Sequence, residues 1–137
     1  MTDCIFCKIV SGELPAEKVY EDDNVLAFLD INVINKGDVL VVPKKHYPDF
    51  LDIPSDELSE VIKITQKVAG AVEKAVNSDG YNISINNKSA AGQAVMHLHI
   101  HIVPRFKDDG FKLWKQKPTS SEERKQMQKD ILQFLPE

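Results

Sequence analysis

Apolar and polar positions alternate in short runs at both ends of the chain's first hundred residues and take a helical period between them. Lys18-Val19-Tyr20-Glu21 and Val25-Leu26-Ala27-Phe28-Leu29 flank Asp22-Asp23-Asn24, whose side chains favour turns, so this stretch predicts a β-hairpin. Residues 31 to 36 loop out before Gly37. Asp38-Val39-Leu40-Val41-Val42 is a β-branched run that Pro43 ends. From Ser55 to about Asn77 the residues Leu58, Val61, Ile62, Val68, Ala69, Val72 and Val76 keep helical spacing. Asp56 and Glu57 lie in its first turn, where the helix dipole favours acids, and Asp79-Gly80 is the expected stop. Tyr81 to Ile85 alternates as a further strand, and the polar loop Asn86 to Gln93 leads to a segment with histidine at every second position. Ser120-Ser121-Glu122-Glu123 is a capping-box pattern that opens a second helix through about Leu135. The order ββ(β)αββα predicts an α+β domain, an antiparallel sheet with helices on one side. A parallel doubly wound fold would need alternating βα units, which are missing.

Composition narrows the class. At 137 residues the chain suits one domain that buries roughly two-thirds of its unfolded surface without staples. Lys and Arg total 17 against 21 Asp and Glu, a net charge of −4 that argues against electrostatic nucleic-acid binding. No apolar run approaches the roughly 20 residues of a membrane span, and Met1-Thr2-Asp3-Cys4 lacks a basic, then apolar leader, so a cytoplasmic protein with no membrane partner is expected. With only Cys4 and Cys7 present, a disulfide framework is excluded as the basis of the fold.

The histidine segment carries the most chemistry. In an extended chain His97, His99 and His101 share one face while Leu98, Ile100 and Ile102 take the other. At about 6.6 Å per two residues the outer imidazoles start some 13 Å apart, too far to ligate one metal together, so the three must divide their labour. Cys4-Ile5-Phe6-Cys7 spaces two thiolates as a zinc half-site does and needs two more ligands. His46 and one end of the histidine triplet would complete a Cys2His2 tetrahedron. A thioredoxin-like redox pair is the competing account, but that motif belongs between a strand and a helix. Two unrelated buried thiols are the bland alternative. The loop Asn86 to Gln93, rich in small and amide residues, stands where it can aim donors at a phosphate, although most such clusters are ordinary turns.

Several separate motifs in order, Cys-Ile-Phe-Cys-Lys-Ile at the start, Tyr20-Glu21-Asp22, Phe28-Leu29-Asp30, Val41-Val42-Pro43-Lys44-Lys45-His46, Gly92-Gln93 and His97-Leu98-His99-Ile100-His101 with Pro104-Arg105, resemble the histidine-triad (HIT) proteins, closest to the bacterial Hint-like branch. The resemblance runs from Cys4 to about Trp114 and leaves a helical extension at about 120–135. It implies the HIT fold: a five-stranded antiparallel sheet with one long central helix and a C-terminal helix, two sheets joined across a homodimer, with a segment like Phe111 to Trp114 reaching the partner's pocket. It implies a hydrolase or transferase acting on the α-phosphate of a purine nucleotide of the AMP kind. In it His99 would be the nucleophile, and His101 would bond a phosphoryl oxygen and orient His99. Asn86, Gly92, Gln93 and nearby amides would stabilise phosphoryl charge. Ile5, Phe6, Ile9, Phe28 and Val95 would wall the nucleotide pocket, and Asp30 would hold the ribose hydroxyls. Phe28 and Ile9 would be core residues in almost any fold. In zinc-bearing relatives the ion is structural and held at the positions matching Cys4, Cys7, His46 and His97.

Two departures stand out. Many relatives carry a fourth histidine where this chain has Asp38, and many carry serine where it has Ala94. The expected activity is cleavage of nucleoside 5′-phosphoramidates or related adenylylated compounds through a nucleotidyl-His99 intermediate. The alternatives are a dinucleoside polyphosphate hydrolase and a non-catalytic nucleotide-binding or protein-interaction module. A cupin-like metal oxygenase built on H-x-H is excluded, since only four histidines exist to supply its ligands.

Overall fold

The computed structural model describes residues 3–136. In chain order the elements are α1 (Ile5–Val10), β1 (Lys18–Glu21), β2 (Val25–Leu29), β3 (Val39–Pro43), α2 (Ser55–Val76), β4 (Gly80–Ile85), a short 3-10 turn (Ser89–Ala91), β5 (Ile100–Arg105) and α3 (Ser121–Phe134). The five strands form one antiparallel sheet in the order β1-β2-β3-β5-β4, the α+β architecture expected from the pattern. Its first hairpin turns on Asp22, whose Oδ1 accepts the amide hydrogens of Asn24 at 2.7 Å and Val25 at 2.8 Å. Such an Asx turn leaves no backbone donor stranded where the chain reverses.

Both faces of the sheet are covered, which corrects the expectation of helices on one side. On one face α2 lays Val61, Thr65, Val68 and Ala69 against Val25, Ala27, Val39, Val41, Leu98, Ile100 and Ile102. On the other, α1 places Phe6 and Ile9 over Leu26, Phe28, Leu40 and Val42. Six residues are too short for helical periodicity to register, so α1 left no signal in the sequence. Residues three apart nevertheless share a helix face, and that suffices to bury Phe6 and Ile9. The helix α2 ends at Val76 and is capped by Asn77 in a left-handed conformation with φ of 51°, at the expected end and just ahead of Asp79-Gly80. Gly37 sits close against it with φ of +88°, and a Cβ there would meet a methyl of Val76 at 2.8 Å. The α3 N-terminus is capped as expected, Ser120 Oγ accepting from the Glu123 amide at 3.1 Å, but none of its residues is buried.

The histidine segment is a strand only in part. The ladder of β5 begins at Ile100, so His97 to His99 lies outside it. Continued by two more residues, the β3–β5 register would set Pro43 opposite Leu98. Proline has no N–H to donate. The Pro43 carbonyl is taken by the His97 ring at 2.8 Å, and the Leu98 amide turns instead to the Tyr47 carbonyl at 2.7 Å. The alternation of faces survives: Leu98, Ile100 and Ile102 pack toward α2, while the rings of His97 and His99 meet Phe6 of α1. No helix among the described residues is long and apolar enough to cross a membrane.

Candidate active site and metal centre

Four donors converge at one end of α1. Cys4 caps the helix, its Sγ accepting from the Cys7 amide, and Cys7 follows within the first turn. His46 lies just beyond β3 and His97 just ahead of β5. One ligand atom from each of Cys4, Cys7, His46 and His97 falls within 4.8 Å of all the others. The Sγ to Nδ1 separations are 3.4 Å for Cys4–His97, 3.4 Å for Cys7–His46 and 3.6 Å for Cys7–His97. Ideal Zn–S and Zn–N bonds at the tetrahedral angle set that edge at about 3.6 Å, so the donors fit a small tetrahedral cation. A carbonyl only accepts, so His97 Nε2 carries the hydrogen it gives Pro43 and the Nδ1 lone pair faces the thiols. Burial pushes the His97 pKa down to about 4, which keeps the ring neutral. Burial, with a hydrogen bond and like charge from Cys4, pushes the Cys7 thiol up to about 11. The Cys7 thiol therefore holds its proton at neutral pH, and a metal must displace it. In the sequence Pro43 reads as a strand terminator and as part of the motif leading to His46; nothing there signals that its carbonyl orients a ligand.

His99 is buried and faces Phe6, ring centroids 5.0 Å apart. Its Nδ1 donates to the His97 carbonyl at 2.7 Å, leaving Nε2 as an uncommitted lone pair. Burial holds its pKa below the ordinary imidazole value, although the charge of Asp30 works the other way. His101, whose ring lies 4.8 Å from that of His99, is likewise lowered by burial and then by its neighbour. Strand register sets Phe28, Leu40, His101 and Ser84 in one row across the sheet, so β2, β3 and β4 all help to fix the second histidine.

The expected pocket residues divide into two groups. Phe6, Ile9 and Phe28 are buried in the α1-side core, Phe6 and Phe28 packing edge to face at 5.6 Å, with Val95 packed against them. Ile5 and half-buried Asp30 are the members left open to a ligand. Ile5, His46, Ala94 and Val95 line a cleft of about 490 Å³ beside the metal donors. A second groove of about 710 Å³ runs between β4 and residues 111–116, with Ser84, Asn86 and Arg105 on its wall.

Gln93 is placed otherwise than expected. Its Nε2 donates to the carbonyls of Pro48 at 2.6 Å and Val95 at 3.0 Å, while its Oε1 accepts from the Lys88 amide at 2.6 Å. An amide has only two hydrogens to give, so none remains for a phosphoryl oxygen in this arrangement. Gln93 instead ties the 86–93 loop to the segment after β3. Gly92, with φ of +91°, turns that loop beside the Asn86 amide, a conformation that disfavours any side chain.

Asp38 is 1 % exposed, and its Oδ1 has no hydrogen-bond partner. Oδ2 accepts only from the Ile34 amide, at 3.2 Å. Burial, together with the nearby charge of Asp30, raises its pKa to about 6. Ligand atoms of Asp30, Asp38 and His101 all lie within 4.8 Å of one another, so the departure at position 38 stands beside His101.

The HIT domain family model matches residues 11–108. A HIT-like protein of Methanocaldococcus jannaschii is 57% identical over 107 residues, 78% of this chain and 82% of its own. An adenylylsulfatase of Arabidopsis thaliana is 43% identical over 78% of this chain and 54% of its own length, and an adenosine 5′-monophosphoramidase of Candida albicans is 38% identical over 74% and 70%. The crystal structure of a HIT-family member from Bacillus subtilis superposes with a TM-score of 0.93 at 36% identity, covering 98% of this chain and 99% of that one. A zinc-bound histidine-triad protein of Mycobacterium smegmatis superposes at 0.77, with 36% identity over 97% and 96% of the two chains.

Proposed function

The chain belongs to the HIT domain family, and from that premise we propose that it is a nucleotide hydrolase or transferase cleaving nucleoside 5′-phosphoramidates or related adenylylated compounds. The observation that carries this reading is the His99 ring, buried, held neutral and anchored through Nδ1 so that Nε2 stays free. A neutral imidazole is a competent nucleophile near neutral pH. Nε2 attacks the α-phosphorus, a phosphorus–nitrogen bond forms, and the bond to the leaving amine breaks as the amine takes up a proton. Water then cleaves the nucleotidyl-histidine and frees the nucleoside monophosphate. His101, in ring contact with His99, donates to a non-bridging oxygen and orients the nucleophile. The Asn86 amide and loop N–H groups supply further donors. Ile5, with the edges of Phe6, Ile9, Phe28 and Val95, borders the base, and Asp30 takes the ribose hydroxyls.

The metal centre supports this chemistry from outside. Cys4, Cys7, His46 and His97 would hold zinc with all four positions filled, so the ion would fold α1 onto the sheet and leave no site for substrate. The names of two relatives, an adenylylsulfatase and an adenosine 5′-monophosphoramidase, support an adenylylated substrate, and the zinc-bound relative supports the metal. Exposed β4 at the sheet edge, which presents Tyr81 and Ile83 and has Phe111 and Trp114 across the adjoining groove, supports a homodimer that joins two sheets. Thiolate ligands suit a reducing compartment, and the cytoplasm is our assignment.

Ala94 and the fully engaged Gln93 favour a second reading, a nucleotide-binding module with weak or no catalysis, because both positions lack a free donor. Turnover of adenosine 5′-phosphoramidate against that of a dinucleoside polyphosphate, with free metal chelated, separates the readings. Preference for the phosphoramidate supports the proposal. Preference for the polyphosphate moves the reading to the alternative hydrolase, and AMP binding without turnover of either moves it to the binding module.

A further inference from the structure

We propose that Asp30, Asp38 and His101 form a second cation site, separate from the Cys4, Cys7, His46 and His97 centre, that takes a divalent first-row transition cation of the Mn²⁺ kind. Three segments meet there: the end of β2, the start of β3 and the body of β5. Each carboxylate is pinned through one oxygen by a backbone amide, Asp30 Oδ1 by Asn32 at 3.1 Å and Asp38 Oδ2 by Ile34 at 3.2 Å. The other oxygens are left over. Among the described residues neither carboxylate is paired with lysine or arginine, and His101 is half-buried beside them.

The independent sign is Asp38 itself. Its side chain is 99 % out of solvent by its 1 % exposure, and Oδ1 meets no donor. A buried polar atom without a partner costs about 1–3 kcal/mol, more when charged, and native proteins seldom leave one without cause. It lies in the only group among the described residues, besides the cysteine–histidine centre, whose ligand atoms close to within 4.8 Å. Metal bonds to oxygen or imidazole nitrogen of about 2.0–2.2 Å set neighbouring donors about 3.0–3.6 Å apart, a spacing inside the 4.8 Å limit that the three ligand atoms share.

Donor chemistry selects the ion. Two carboxylates with one imidazole suit Mn²⁺ and its row neighbours, whereas thiolate-rich tetrahedra suit zinc, so the two sites sort metals by softness. A proton on Asp38 is the simpler remedy, since it would satisfy Oδ1 against Asp30. It would still leave the Asp30 charge without a cationic partner among the described residues, and a cation answers both carboxylates together. Asp30 and His101 are half-buried, and the His101 ring lies 4.8 Å from that of His99, so the cluster is within reach of solvent and adjoins the proposed nucleophile. On the nucleotide reading above, a phosphoryl or ribose oxygen would complete the shell; the site itself stands without that reading.

The test uses the whole protein loaded with one equivalent of zinc to fill the cysteine–histidine centre. Mn²⁺ alone is then titrated in and followed by the electron paramagnetic resonance of the free ion, with no nucleotide present. About one Mn²⁺ per chain is expected, with affinity falling at least about tenfold in both Asp38→Asn and Asp30→Asn. Half-buried Asp30 guards against a folding artefact at Asp38, and zinc content and circular dichroism should be unchanged in both variants. No binding by the wild type overturns the proposal and leaves a proton as the remedy at Asp38. Binding equally strong in the wild type and both variants overturns it as well, because the ion would then sit elsewhere.

Discussion

The His97 carbonyl accepts the Nδ1 hydrogen of His99 across 2.7 Å, so one metal-side residue fixes the tautomer of the proposed nucleophile. The same residue gives its own ring to the metal cluster: Nε2 bonds Pro43, and Nδ1 faces the thiols. Metal centre and reaction centre thus share a backbone segment, and loosening the first should reach the second through position rather than through chemistry.

That coupling sets the behaviour of the metal. Purified protein should carry about one zinc per chain, and Cys7→Ser should lower the melting temperature by roughly 10 °C, the equivalent of about 3 kcal/mol for a domain of this size. Turnover by the protein that remains folded should fall less than tenfold. Elemental analysis and calorimetry check this, and zinc-free protein with the wild-type melting temperature would contradict it.

The raised Asp38 pKa gives a pH-dependent prediction. Below about pH 4 the carboxyl is protonated in both folded and unfolded chains and costs nothing. Between the unfolded value of 3.8 and the folded value of about 6 the unfolded chain releases its proton first, so stability falls as pH rises. Above pH 6 the full penalty remains, on the order of 2–3 kcal/mol. Without added Mn²⁺, Asp38→Asn should therefore be more stable than the wild type at pH 8 and equal to it at pH 4. Urea unfolding at the two pH values measures the difference, and a variant less stable at pH 8 would contradict this account of the buried carboxyl.

Gln93 separates a structural role from a catalytic one. Removing its amide strands the Lys88 N–H and the Pro48 and Val95 carbonyls, so Gln93→Ala should cost about 2–3 kcal/mol of stability. Gln93→Glu keeps the acceptor but turns a buried carboxylate oxygen against the Pro48 and Val95 carbonyls, and should cost at least as much as the alanine. If folded Gln93→Ala binds AMP like the wild type but loses a hundredfold in turnover with unchanged stability, the amide acts on the phosphoryl group after all.

What the sequence revealed follows from range. The hairpin, α2 and the α3 cap rest on contacts between residues a few positions apart, and periodicity with turn chemistry reports those. Face alternation of His97, His99 and His101 was legible for the same reason. The helix α1 was not, because six residues give no period and its place is set by Phe6 and Ile9 meeting strands that lie later in the chain. The end of the β5 ladder depends on Pro43, which the register sets opposite Leu98 although the two are far apart in sequence. Motif resemblance supplied the candidate residues, but it could not show that the Gln93 amide is already spent, or that Asp38 would be buried with an oxygen unanswered beside His101.

The central claim is a covalent bond to His99, and trapping it is the most direct measurement. Protein mixed with adenosine 5′-phosphoramidate and quenched under alkaline conditions within a single turnover should carry one added adenylyl group, located by peptide mass spectrometry on His99. His99→Ala should carry none and lose several orders of magnitude in turnover while still binding AMP, whereas His101→Ala should still form the adduct at a rate reduced roughly 10²–10³-fold. An adduct on another residue, or His99→Ala protein retaining more than about a tenth of wild-type turnover, would contradict the nucleophile assignment.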